Sequence, residues 1–216
     1  AAGKVGLLEW DGLDPEVKAH PVELEGQDAS ALALALAVLD DDHVVVAADE
    51  MGMFWMGRTP EGWAIEHRHR YLGRIEALAW ADDRVAVGLT GPENAAVLFL
   101  DRDEHGAWSV GDSVEIPLDI NGMVQAGREL LVAGVGVHVV QLDDLASGAV
   151  DTGQVDGSIE GLVRLPSGRV VGLQKEQSVT WLERSPSGEW AAVGRSPTGA
   201  EFLPMNVTSV GERVGV

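Results

Sequence analysis

The sequence predicts an all-β fold built from a repeated unit of four short antiparallel strands, and three observations predict it. Valine-rich runs recur about every 40 to 45 residues along the 216-residue chain, at residues 43–46, 84–87, 130–132, 169–171 and 213–216. Each of the first four is followed by a second apolar run, at residues 53–56, 97–100, 137–140 and 179–182. Three of these lead into a turn that carries Arg, Gly and Trp, at residues 58–63, 102–108 and 184–190. Such a turn is typical of a hairpin closed on a buried indole.

A further strand precedes each valine-rich run and opens the unit. Its copies begin with Ile and a polar residue, at residues 75–78, 120–123 and 159–162, with a weaker copy at 200–203. Residues 31–39 alternate Ala and Leu, two residue types that favour helix by propensity. The strict period of two and the place in the repeat nevertheless predict a strand there.

Four short strands in a unit of about 43 residues are typical of a β-propeller. We therefore predict a five-bladed β-propeller with four antiparallel strands per blade, in which N- and C-terminal strands close the last blade. Pairing the two ends in one blade removes an open sheet edge. The prediction is one domain, 1–216, with blades of approximately 29–72, 73–117, 118–156, 157–198, and 199–216 plus 1–28. A larger propeller of which this chain is a part is the alternative.

Composition excludes several classes of function. The chain has 35 Asp and Glu against 15 Lys and Arg, a formal charge of −20 that disfavours nucleic acid and anionic membranes as partners. The longest apolar run, residues 31–39, is too short to be inserted across a bilayer. The absence of cysteine excludes disulfides, thiolate zinc sites and cysteine nucleophiles. The excess of Arg over Lys, with abundant Ala, Gly and Val, indicates a prokaryotic protein, either cytoplasmic or extracytoplasmic.

These repeats resemble the β-propellers of the WD-repeat or YVTN-repeat type, although the chain lacks the Gly-His and Trp-Asp dipeptides of true WD repeats. The Gly and Trp hairpins are similar to the Asp-box hairpins of sialidase-like propellers. They depart from that pattern because Asp is absent from two of the three copies and the Gly-to-Trp spacing is shorter. Those motifs are structural in that family, so the resemblance implies the fold and carries over no catalytic residue.

The first strand of every blade lines the central channel of a propeller, so its opening residues are candidates for a binding site. Alignment places polar residues at one position near the top mouth of the channel: Ser30, Glu76, Asn121, Glu160 and Glu201. Three of these are carboxylates that would repel one another, so we expect a bound cation or raised pKa values. Oxygen ligands suit Ca²⁺ or Mg²⁺, with Glu76, Glu160 and Glu201 as the ligands. The alternative is a channel that holds only water.

The loops between second and third strands share the top face with the channel mouth. Their charged residues form a mostly acidic rim: Asp49, Glu50, Glu93, Lys175 and Glu176. An acidic rim suits a protein partner with a basic surface, which would approach by electrostatic steering.

Two functions from different classes follow from these candidates. The first is a non-catalytic binding module, expected to be a domain of a larger protein, that docks a protein or a small ligand at the top face or the channel mouth. The second is a glycan-active or carbohydrate-binding propeller, in which a pair such as Glu160 and Glu201 acts as acid and base. Units of about 43 residues leave only short loops, which favours the binding module, and no catalytic residue is assigned.

Overall fold

A computed structural model describes residues 3–9, 18–24, 33–48, 52–69, 74–91, 94–117, 119–152, 155, 157–174, 178–197, 208–210 and 213–215. Strands dominate these residues, and the helical content is one short 3₁₀ turn, Leu145–Ser147. The all-β prediction is confirmed. In the described ranges, no helix is long and apolar enough to cross a membrane.

Sixteen of the strands form four antiparallel sheets of four strands each, in chain order. Sheet 1 contains β3 (Ala33–Val38), β4 (His43–Ala48), β5 (Gly52–Thr59) and β6 (Gly62–His69). Sheet 2 contains β7 (Arg74–Ala81), β8 (Arg84–Thr90), β9 (Ala95–Arg102) and β10 (Trp108–Ile116). Sheet 3 contains β11 (Gly122–Ala126), β12 (Glu129–Gly134), β13 (Gly136–Gln141) and β14 (Ala149–Asp151). Sheet 4 contains β15 (Ile159–Arg164), β16 (Val170–Gln174), β17 (Ser178–Arg184) and β18 (Trp190–Pro197).

Two further pairs lie near the ends of the chain. β1 (Gly3–Glu9) pairs with β2 (Lys18–Leu24), and β19 (Thr208–Val210) pairs with β20 (Arg213–Gly215). Each pair is a separate two-stranded sheet among the described residues. The alternating Ala and Leu segment is strand β3, as its period of two predicts.

The first strands of successive sheets contact one another: β3 contacts β7, β7 contacts β11, and β11 contacts β15. The middle residues of the second strands are apolar, and both faces of these strands are buried. In β12, Leu130 and Val132 pack in the cluster shared with sheet 2, whereas Leu131 and Ala133 pack in the cluster shared with sheet 4. This stacking of repeated four-stranded sheets is consistent with a propeller-like arrangement.

The first strands of sheets 3 and 4 approach each other closely at two glycines. A Cβ atom on Gly122 would lie 2.9 Å from the Cα atom of Gly161, in the first strand of the next sheet. Real Cβ atoms do not tolerate that distance to backbone, so β11 and β15 can pack together only because residue 122 is glycine.

Antiparallel pairing gives each sheet two ends with different loops. We call "top" the end where first strands begin and where second strands turn into third strands. The "bottom" is the opposite end, which carries the turns between first and second strands and between third and fourth strands. The Trp hairpins lie at the bottom, and the predicted channel mouth and rim are assigned to the top from the sequence.

Candidate functional site

Two predicted channel residues, Glu76 and Glu160, are each the extra residue of a β-bulge in a first strand, at the same register position. Asn121 lies one residue before β11, at the corresponding place in sheet 3. In sheet 1 the register places Leu34 at the bulge, four residues after Ser30. A bulge leaves the extra residue out of the ladder and re-aims its side chain. In sheets 2, 3 and 4 this position therefore carries a polar residue, whereas in sheet 1 it carries a leucine.

All three polar residues are half-buried and have partners close by. Nε of Arg74 lies 3.1 Å from Oε1 of Glu76. The Ser158 hydroxyl donates a hydrogen bond of 2.9 Å to Oε1 of Glu160. Asn121 donates from Nδ2 across to the carbonyl of the residue before Glu160, at 3.0 Å, and so ties the first strands of sheets 3 and 4 together.

The predicted cation site includes residues that the structure does not describe. Ser30 and Glu201 lie outside the described residues, so the set of Glu76, Glu160 and Glu201 stays a prediction. Within the described part of the chain, no three His, Asp or Glu side chains lie close enough together to hold a metal ion. Arg74, which sequence reasoning did not select, places a positive charge beside one of the predicted ligands.

The predicted partner-binding rim also lies outside the described residues. This applies to all five of its members, Asp49, Glu50, Glu93, Lys175 and Glu176. Docking at the top rim therefore stays a prediction.

A buried carboxylate at the bottom, between sheets 3 and 4, is the best-defined polar feature of the described residues. The side chain of Glu129 is 5% exposed and lies at the start of β12. Its Oε1 accepts from Nε2 of Gln141 at 2.8 Å and from Nη2 of Arg184. Its Oε2 accepts from the indole Nε1 of Trp190 at 2.8 Å. Arg184 and Trp190 flank the hairpin turn of sheet 4, so the carboxylate joins two sheets.

These contacts determine the ionisation of Glu129. Burial raises the pKa of its carboxyl, but the hydrogen bonds from Trp190, Gln141 and Arg184 and the charge of Arg184 lower it by more. The pKa therefore lies below its ordinary value of 4.5. The group is an anion at neutral pH and compensates the arginine beside it.

An open cleft of about 700 Å³ lies beside Glu129, between sheets 3 and 4. We call it the sheet 3–4 cleft. Every residue that lines it belongs to the bottom turns of these two sheets or to the strand ends beside them: Ala126, Gly127, Arg128, Glu129, Gln141, Asp143, Arg164, Ser167, Gly168, Arg169, Glu183, Arg184 and Trp190. Its volume falls within the usual range of small-molecule sites.

The junction of sheets 1 and 2 has a smaller cleft, of about 280 Å³, at the corresponding place. At this junction His43 occupies the position that Glu129 has in sheet 3. Arg102 and Trp108 occupy the positions of Arg184 and Trp190. The indoles of Trp55 and Trp108 lie 5.9 Å apart beside it. Two of the three hairpin tryptophans thus lie at sheet junctions, where Trp190 is buried and Trp108 is half-buried.

Sequence reasoning did not identify Glu129 or the cleft. The available signal was a charge difference within the repeat. Second strands begin with His43 and Arg84 in sheets 1 and 2 and directly follow Arg169 in sheet 4, whereas the second strand of sheet 3 begins with an acid. Only the packing of one sheet on the next brings that acid to Trp190.

No protein-family model matches the chain, and none of the curated proteins matches it in sequence. A similar solved structure is that of a protein of unknown function from Bacteroides caccae, with a TM-score of 0.59 and 12% sequence identity. The likeness covers 84% of this chain and 65% of that one, so this chain spans less than two-thirds of its length. At this identity the likeness supports the fold alone.

Proposed function

We propose that the protein is a non-catalytic β-propeller binding module that takes a ligand at the channel mouth. The observation that carries the proposal is the register: Glu76 and Glu160 both occupy the bulge of a first strand, and Asn121 takes the same place in the sheet between them. Polar groups that repeat at one level of adjacent inner strands are arranged to contact a common ligand. Glu201 completes this set in the proposal, whereas in sheet 1 the register puts Leu34, and not Ser30, at the equivalent position.

The proposal includes a fifth blade formed by the two terminal pairs. β19 contacts β15, which is the contact that one first strand makes with the next in the four complete sheets. β2 contacts β6, the fourth strand of sheet 1. The fourth strands β10 and β14 of sheets 2 and 3 contact each other in the same way, so β2 is assigned as the fourth strand of the fifth blade. In this arrangement β19 and β20 are the first and second strands of the fifth blade, and β1 and β2 are its third and fourth.

A cation titration tests the channel site. The melting temperature is measured with increasing Ca²⁺ or Mg²⁺ up to millimolar concentration, against NaCl at equal ionic strength. We expect both divalent cations to raise it beyond the NaCl control, because a ligand that prefers the folded state stabilises that state. Changing Glu76, Glu160 and Glu201 to Gln should remove this response.

A matched control changes three exposed glutamates elsewhere, Glu61, Glu104 and Glu115, to Gln. This variant has the same net charge as the channel variant and should keep the cation response. An identical response in both variants would mean that the cation only screens the −20 charge. Hydrolysis of an aryl glycoside that is lost on Glu160→Gln would instead support the glycan-active function.

The rim of Asp49, Glu50 and Glu93 is proposed to guide a partner with a basic surface to the same face. A fluorescent lysine-rich peptide serves as the probe, and its association rate is measured in stopped flow against salt. Reversal of the three acids to Lys should slow association and flatten its salt dependence, because rim charges act mainly on the association rate. Reversal of three exposed acids in bottom turns, Asp41, Glu61 and Glu104, should change it less. Equal slowing by both variants would contradict docking at the top face.

A further inference from the structure

Positive charge is concentrated in the sheet 3–4 cleft, although the chain as a whole is strongly acidic. Four of the twelve arginines of the sequence line it: Arg128, Arg164, Arg169 and Arg184. The acids that line it are Glu129, Asp143 and Glu183. The lining therefore carries one positive charge in excess, whereas the chain carries −20.

The acidic residues hold the guanidinium groups in place and leave many of their donors unused. Glu129 is buried and its two oxygens already accept from three donors. Arg184 is 52% exposed and donates to Glu129 from one nitrogen, Nη2. Because a guanidinium has five N–H donors, most of those on Arg184 stay available on the cleft side of a fixed anchor.

Two more arginines extend this row of donors. Nε of Arg169 lies 2.6 Å from Oε1 of Glu183, which fixes the side chain and leaves its terminal nitrogens without an acidic partner among the described residues. Arg164, at the end of β15, is exposed and has no ion-pair partner in that part of the chain. Arg128 is farther toward solvent, 82% exposed, and lies 3.4 Å from Asp143.

We propose that the sheet 3–4 cleft binds the oxyanion group of a small ligand, a phosphate or a carboxylate, through Arg164, Arg169 and Arg184. The planar fork of a guanidinium matches both groups with two parallel hydrogen bonds. A volume of about 700 Å³ accommodates a ligand considerably larger than the oxyanion itself. The site is at the bottom of the sheets, so it is separate from the channel mouth and does not depend on the function proposed there.

Titration with inorganic phosphate and with acetate, each against NaCl at equal ionic strength, tests the proposal. Binding is followed by calorimetry and by the fluorescence of Trp190, with the Trp190→Phe variant used to assign the signal. We expect saturable binding of at least one oxyanion that NaCl does not reproduce. A response to phosphate alone identifies a phosphorylated ligand, and a response to acetate identifies a carboxylate. A response that NaCl reproduces, or none at all, would overturn the proposal.

Arg164→Gln is the informative variant, because Arg164 has no ion-pair partner among the described residues whose loss would disturb the fold. It should weaken oxyanion binding about tenfold, as expected for one charge-assisted hydrogen bond. Arg58→Gln removes the same charge from an exposed site on sheet 1 and should leave the affinity unchanged. Glu160→Gln, at the channel mouth, should also leave it unchanged. Equal weakening by Arg164→Gln and Arg58→Gln would mean that only overall charge is sensed, and the site would be rejected.

Discussion

The buried carboxylate of Glu129 makes the stability of the protein depend on pH. Its folded-state pKa lies below the ordinary 4.5, because hydrogen bonds from Trp190, Gln141 and Arg184 outweigh the effect of burial. The carboxylate therefore stabilises the fold above about pH 4.5, and this contribution is lost as pH falls through the folded-state pKa. Glu129→Gln should lower the free energy of unfolding by about 2 kcal/mol at pH 7, the scale of hydrogen bonds to a charged group. Urea unfolding from pH 7 to pH 3 should show the two proteins converging, and a difference that stays constant with pH would contradict this.

His138 presents the opposite case, a buried polar side chain that has no hydrogen-bond partner among the described residues. It is 3% exposed on β13, and within that part of the chain neither ring nitrogen is hydrogen-bonded. Its alternation with Val137 and Val139 directs it toward the junction with sheet 2. Replacing an unsatisfied buried group by an apolar one of similar size is neutral or stabilising. His138→Leu should therefore leave the free energy of unfolding unchanged or raise it by about 1 kcal/mol. The melting temperature should accordingly stay the same or rise. His105→Leu, at an 82% exposed side chain, is the control, and a clear loss of stability on His138→Leu alone would reveal a partner for the ring.

At the scale of single strands, stability depends on how closely the first strands of neighbouring sheets approach each other. A Cβ on Gly122 would lie 2.9 Å from the backbone of Gly161, whereas a Cβ on Gly194, in the outer strand β18, would lie 3.6 Å from Trp181. Gly122→Ala should lower the free energy of unfolding by about 1–3 kcal/mol, the usual cost of overpacking, because neither backbone can yield without moving a sheet. Gly194→Ala should have little effect. Similar values for the two variants in urea unfolding would show that β11 and β15 pack less closely than the structure indicates.

The strands and their order could be predicted from the sequence because each is encoded locally. Continuous apolar runs such as residues 130–132 identify strands that are buried on both faces, and strict alternation identified β3 against its helical propensity. The position of Glu76 and Glu160 in their first strands depends on a one-residue β-bulge. No local sequence pattern indicates such a bulge. The anchor at Glu129 depends on which sheet packs beside which. Both features belong to contacts between elements, and a single sequence does not display those contacts.

At the scale of the whole molecule, the proposed fifth blade predicts that the two ends of the chain can be joined to each other. The loops that connect second to third strands in the four complete sheets contain one to four residues. If β20 and β1 are the second and third strands of one blade, direct fusion of Val216 to Ala1 creates a loop of similar length, three residues. A circular permutant with this fusion, and with new ends opened between sheets 1 and 2, should therefore fold with a melting temperature close to that of the parent.

Deletion of residues 204–216 provides the complementary test of closure. Removal of β19 and β20 would leave β1, β2 and the inner strand β15 without their proposed neighbours and expose a sheet edge. The deletion should broaden thermal unfolding into a non-cooperative transition, because neighbouring sheets stabilise one another through shared cores. Addition of the deleted segment as a peptide should restore part of the sharp transition, since the segment supplies the missing strands. A truncated chain that melts as sharply as the parent, together with a permutant that fails to fold, would contradict the five-bladed arrangement and leave the four described sheets as the cooperative unit.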